Sequence, residues 1–147
     1  MIRPTGLRHI GIAVRSIEAC RKYYERVLGA RFEGTVEVPS QQVRVAFFVI
    51  GSPGREVRLE LIEATSPDTG VAKFVERHGE GLHHLAFDVD DLEQRLADLR
   101  AAGVHLIDEH PRDGGHGMRI AFLHPKSSYG VLTELCESRK DPQKTES

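Results

Sequence analysis

The chain repeats itself, and that repeat limits its fold more than any other feature. Laid over itself at an offset of 75 residues, Leu7, His9, Val14 and Glu18 fall on Leu82, His84, Val89 and Glu93. Farther on, Val43-Arg44-Val45-Ala46-Phe47 falls on Met118-Arg119-Ile120-Ala121-Phe122, and after one gap Leu59-Glu60-Leu61 falls on Thr133-Glu134-Leu135 at an offset of 74. The matches keep their order along the chain, so whatever supersecondary unit one half forms, the other half forms again.

The pattern within each half defines that unit. Leu7 to Val14 alternates as a strand, and Ile17, Cys20, Tyr24, Val27 and Leu28 then return at helical spacing, with Gly29 placed to end the helix. Strands are expected at about 31–38, 43–50 and 57–63, with Gly51-Ser52-Pro53-Gly54 as a turn. The second half gives a strand at 82–89 and a helix with Leu92, Leu96 and Leu99 on its buried side. Asp90 and Glu93 mark the start of that helix and Gly103 its end. Short strands are expected near 104–107, 118–124 and 131–137. Ser66-Pro67 opens a linker helix carrying Val71, Phe74 and Val75, and the polar stretch 138–147 reads as a flexible tail. The fold class is therefore α+β, with paired strand-helix-three-strand modules at about 7–63 and 82–137 and a linker helix at about 66–79. Together they make one domain over 1–137.

Composition removes several functions. With 20 basic and 22 acidic residues, the net charge of -2 offers no overall field for a nucleic acid or an anionic membrane. The opening Met-Ile-Arg-Pro-Thr-Gly has no apolar run behind it, and no apolar stretch is long enough to cross a bilayer. Cys20 and Cys136 lack the spacing of a redox or zinc-thiolate pair and read as free packing thiols, which makes the cytoplasm the expected compartment.

Strand alternation then isolates candidate metal ligands. His9 shares a face with Gly11 and Ala13, while Ile10, Ile12 and Val14 take the face that packs the helix. His84 is placed in the same way, and Glu60 and Glu134 are each flanked by leucines facing away from them. Two imidazoles and two carboxylates, one of each per half, thus sit on the faces that do not pack helices. If the halves pack about a twofold axis, the four meet. Such a set suits Co, Mn, Zn, Ni or Fe(II), and the absence of thiolates argues against soft ions. His83 points to the opposite face and reads as a structural or supporting residue. The stretch 110–118, rich in glycine, reads as a hairpin connection or a cover. Arg44, Arg58, Arg112, Arg119 and Lys126 are candidate phosphate contacts.

Several blocks carry a family resemblance over about 7–137: His9-Ile10-Gly11-Ile12-Ala13, Lys22-Tyr23-Tyr24, Val71-Ala72-Lys73-Phe74, Gly81-Leu82-His83-His84-Leu85-Ala86-Phe87, Phe122-Leu123-His124-Pro125-Lys126, and Gly130-Val131-Leu132-Thr133-Glu134-Leu135. In these the chain resembles the vicinal-oxygen-chelate superfamily and, within it, the methylmalonyl-CoA epimerase family. The resemblance implies paired βαβββ modules, frequent homodimers, and a divalent metal held by His9, Glu60, His84 and Glu134. Cobalt is the implied ion, with Mn, Ni, Zn or Mg as alternatives. It further implies epimerisation at C2 of methylmalonyl-CoA through an enolate, with Glu134 as the acid/base. Some members carry a second glutamate where this chain has Val45, so the second proton carrier is open among Gln42, Glu60, another nearby group and bound water. The rival functions are a glyoxalase-like isomerase and a noncatalytic small-molecule-binding resistance protein.

Overall fold

The computed structural model describes residues 1–138. Contacts divide it into two units, one of Arg8–Leu85 and one of Met1–Leu7 with the chain from Ala86 onward.

In the first unit the strands run in the order β2-β3-β4-β1-β5, with β1 at Gly6–Ala13, β2 at Arg31–Val38, β3 at Val43–Ile50, β4 at Val57–Ala64 and β5 at Gly81–Asp88. β2, β3 and β4 form an antiparallel meander, and β4 lies parallel to β1 with Ile10 opposite Leu59 and Gly11 opposite Glu60. Alternation divides the side chains as expected. Val14, Ile17, Ala30, Ala46, Phe48, Leu59 and Leu61 form a buried cluster, joined by Ile10, Ile12, Cys20 and Tyr24. Removing the wholly buried Phe48 ring would cost about 3–5 kcal/mol.

Helix α1 (Ile17–Lys22) is shorter than its periodicity suggested. Ser16 Oγ accepts the Ala19 N–H, and Glu63 supplies a carboxylate oxygen to the Ile17 N–H at 3.2 Å, so two side chains cap the first turn. The chain then widens into a π turn at Tyr23–Val27, where the Leu28 N–H reaches back five residues to the Tyr23 carbonyl. That change of angular register takes the last two residues off the buried stripe. Val27 and Leu28, expected on the apolar face, are 67% and 46% exposed.

The other face of the first unit bears His9, Gly11 and Ala13, all buried, and a second apolar cluster of Val43, Val45 and Ile62. Val71 of α2 (Gly70–His78) packs on that cluster. The helix starts later than Ser66-Pro67 suggested. Thr69 is its cap, with Oγ1 accepting the Ala72 N–H at 3.0 Å, and Pro67 lies in the turn before it.

In the second unit the end of β5 is followed by β8 (Thr133–Ser138), β7 (Met118–Leu123) and β6 (Arg112–Asp113). Helix α3 (Leu92–Ala101) buries Leu92 and Leu96 completely and Leu99 in part against Ala121, Leu123 and Leu135. Its cap is Asp91 rather than Asp90. Asp91 adopts a left-handed backbone (φ 51°), and its carboxylate accepts the Gln94 N–H at 3.3 Å. No continuous strand forms at 104–107. Leu106 makes a single bridge to Leu123, flanked by backbone bonds from the Ile107 N–H to the Phe122 carbonyl and from the His124 N–H to the His105 carbonyl, and a hairpin of β6 and β7 with a 3₁₀ turn at Gly115–Gly117 follows farther along the same edge. The stretch 110–118 is thus a hairpin connection. Ser138, expected in the tail, ends β8, and the rest of that tail lies outside the described residues. Among the described residues no helix is long and apolar enough to cross a membrane.

Candidate metal centre

Three of the four expected ligands meet inside the first unit. The β1–β4 register sets Gly11 opposite Glu60, which aims the Glu60 carboxylate at the β1 face carrying His9. Glu60 Oε2 lies 2.7 Å from His9 Nε2, and His84 on β5 brings its own Nε2 to 2.9 Å from the same atom. The two imidazoles meet edge to face, with centroids 5.0 Å apart. Each histidine is only 6% exposed, and Glu60 keeps 18% of its side-chain surface. Gly11 makes the arrangement sterically feasible, since a Cβ there would stand 2.7 Å from His84 Nε2 and closer still to Cε1 and Nδ1.

Glu134 belongs to the second unit. On β8 it faces Phe122 of β7, its neighbour Leu135 enters the α3 core, and its own carboxyl group is buried, with the Cys136 thiol donating to Oε1 at 3.5 Å. Burial selects it together with the histidines. Among the described residues, the buried polar side chains are His9, Thr69, His84 and Glu134. Thr69 is accounted for by its helix cap, whereas the other three are all of ligand chemistry.

The donor set of the first unit fits a divalent ion. Two ligand atoms about 2.1 Å from one ion on perpendicular axes stand about 3.0 Å apart, whereas tetrahedral ligands spread to about 3.4 Å. The observed 2.7 and 2.9 Å are close contacts of hydrogen-bond length about the one atom His9 Nε2, near enough for donors that share an ion. Imidazole nitrogen with carboxylate oxygen suits the later first-row dications.

His83 does not join the converging nitrogens. Its Nδ1 lies 2.9 Å from His84 Nδ1, on the far side of that ring, and its own ring stands edge-on to Phe74 of α2 with centroids 4.9 Å apart. Alternation sets it on the opposite face, but strand periodicity carries no signal for a bond between neighbouring side chains. Val45 is buried among Val43 and Ile62, which makes that part of the wall apolar, and Gln42 is exposed in a left-handed turn. Four candidate phosphate contacts already have carboxylate partners: Arg44 with Glu37, Arg58 with Glu33, Arg112 with Asp108, and Arg119 with Glu93 and Glu137. Lys126 is exposed in the turn after β7.

Residues 8–122 match the family described as the Glyoxalase/Bleomycin resistance protein/Dioxygenase superfamily. The chain belongs to this superfamily. Among its relatives, the uncharacterized protein YqjC of Bacillus subtilis is 48% identical over 92% of this chain and 94% of its own length. The mitochondrial methylmalonyl-CoA epimerase of Homo sapiens is 32% identical over 88% of this chain and 72% of its own. A solved variant of the Streptomyces coelicolor methylmalonyl-CoA epimerase, in complex with 2-nitronate-propionyl-CoA, superposes with a TM-score of 0.85 at 40% identity. It covers 93% of this chain and 96% of the other. The superfamily assignment agrees with the α+β architecture and with the histidine and carboxylate chemistry of the buried site.

Proposed function

We propose that this superfamily member is a metal-dependent epimerase that interconverts the C2 epimers of methylmalonyl-CoA. The observation that carries the reading is the convergence of buried His9 and His84 with partly buried Glu60 at 2.7 and 2.9 Å, in a chain 40% identical to an epimerase bound to an acyl-CoA analogue. His9, Glu60 and His84 hold the ion, and Glu134 is assigned as the fourth ligand. When bound, the metal supplies Lewis acidity to the thioester and carboxylate oxygens that flank C2.

The chain's own residues supply the rest. Glu134, a buried carboxylate, takes the C2 proton from one face to form the enolate, and the centre inverts when a second carrier returns a proton to the opposite face. Val43, Val45 and Ile62 form an apolar wall beside Glu60 that keeps water from the reacting carbon. Valine exchanges no proton, so one face of C2 is served by Glu134 and the other has no carboxylate at Val45. Cobalt is the ion we assign, with Mn, Ni, Zn or Mg as substitutes; the family likeness supports it, as it supports a homodimer. The reducing setting of two free thiols supports a cytoplasmic location. We assign residues 1–137 to a single domain on the strength of the repeat.

Parallel assays on metal-loaded protein with methylmalonyl-CoA and with a glutathione hemithioacetal test the reading. Epimerisation of the acyl-CoA is expected. Turnover of the hemithioacetal alone would replace it with a glyoxalase-like activity, and tight acyl-CoA binding without α-proton exchange would make the protein a binder.

A further inference from the structure

His84 is bonded through both of its ring nitrogens. Nε2 faces His9 Nε2 and, beyond it, the Glu60 carboxylate, while Nδ1 faces His83 Nδ1 at 2.9 Å. A neutral imidazole carries one proton. If Nε2 is to offer a lone pair to an ion, the proton belongs on Nδ1, where it needs an acceptor. His83 Nδ1 is placed to accept it, with the His83 proton then on Nε2. Adjacent strand residues usually send their side chains to opposite faces, so this contact requires the His83 ring to turn along the strand. The His83 ring is steadied there by the edge of Phe74, at 4.9 Å and 81°. Phe74 also stacks at a tilt on His78, within the same helix.

We propose that His83 is the positioning residue that fixes the His84 tautomer, with Phe74 of α2 holding the His83 ring in place. This rests on the reading of His84 as a ligand through Nε2. Groups that accept a hydrogen bond from a metal-bound histidine characteristically cost 10–100-fold in metal affinity when removed. Two substitutions separate the acceptor from the ring. His83→Phe keeps a flat ring beside Phe74 but has no acceptor, and His83→Asn places an amide oxygen near the position of Nδ1 but has no ring.

The test is Zn(II) and Co(II) affinity by chelator competition for wild type and both variants, together with ¹H–¹⁵N correlation of the histidine rings in Zn-loaded wild type. His83→Phe is expected to bind each ion roughly 10–100-fold more weakly, while His83→Asn stays close to wild type. The wild-type spectrum is expected to show the proton on Nδ1 of His84 and on Nε2 of His83. Affinity that follows the ring rather than the acceptor would overturn the proposal, as would a wild-type spectrum with the proton on His83 Nδ1, which needs no variant to fold. A wild type that retains neither ion would overturn the metal centre itself, and the two failures are therefore distinguishable.

Discussion

Replacing Gly11 with alanine adds one methyl group to β1 and presses it into the His84 ring. Away from a clash, a Gly→Ala change stabilises by about 0.4–1 kcal/mol, because the unfolded chain has fewer conformations to lose. Here the new Cβ would stand 2.7 Å from Nε2 and nearer to two other ring atoms. Ordinary carbon contacts begin near 3.5 Å, so the nearest ring atom must retreat by about 1.4 Å. It has little freedom to do so, since His83 and His9 hold its two nitrogens at 2.9 Å each. Overpacking of this kind costs about 1–3 kcal/mol, which leaves a net loss of about 1–2 kcal/mol and a fall in Tm on the order of 5 °C. Moving a ligand atom by that distance should also weaken metal binding by at least about tenfold. The assay is thermal unfolding of the metal-free protein with chelator competition for Zn(II), carried out in the wild-type and His84→Ala backgrounds. Without the ring, Gly11→Ala should be neutral or stabilising, and the difference between backgrounds is the coupling energy. An equal cost in both backgrounds, or unchanged metal affinity, would refute the steric argument.

Three further outcomes are expected. His9→Ala and His84→Ala should each lose bound metal on dialysis, read by elemental analysis; full occupancy and activity in either would remove that histidine from the ligand set. Glu134→Gln keeps the size and one carbonyl oxygen but loses the base, so turnover should fall far more than acyl-CoA affinity. In heavy water the exchange defect should be greater for one C2 epimer, and symmetrical exchange with normal turnover would sink the base assignment. Thr69→Ala removes the α2 cap and should cost about 1 kcal/mol, a drop of roughly 3 °C in Tm, while acyl-CoA turnover stays near wild type. A large loss of turnover would show that Thr69 does more than cap.

The repeat made the order of elements legible, because each half has to bury the same aliphatic face, and period two separated Ile10 and Ile12 from His9 and Gly11 before any coordinates. What the sequence left hidden depends on single hydrogen bonds. Periodicity is a property of a window, so it cannot register a π turn that rotates Val27 and Leu28 out to solvent, nor the choice of Asp91 over Asp90 as cap. The expected strand at 104–107 failed for a similar reason. Two aliphatic residues satisfy the pattern, but the backbone bonds that 105–108 make to β7 form only one bridge, at Leu106, and do not continue as a ladder. At the candidate site, the residue types and faces of His9, Glu60 and His84 were readable, whereas the bond between His83 and His84 runs against alternation and appears only in three dimensions.

In the proposed function, ligand-held metal makes C2 of methylmalonyl-CoA exchangeable. Its most direct test is α-proton exchange in heavy water by protein stripped with a chelator and then reloaded separately with Co, Mn, Ni, Zn or Mg. Stripped protein is expected to exchange no protons and reloading to restore exchange, with cobalt giving the fastest rate. Undiminished exchange by protein shown to be free of metal would contradict it.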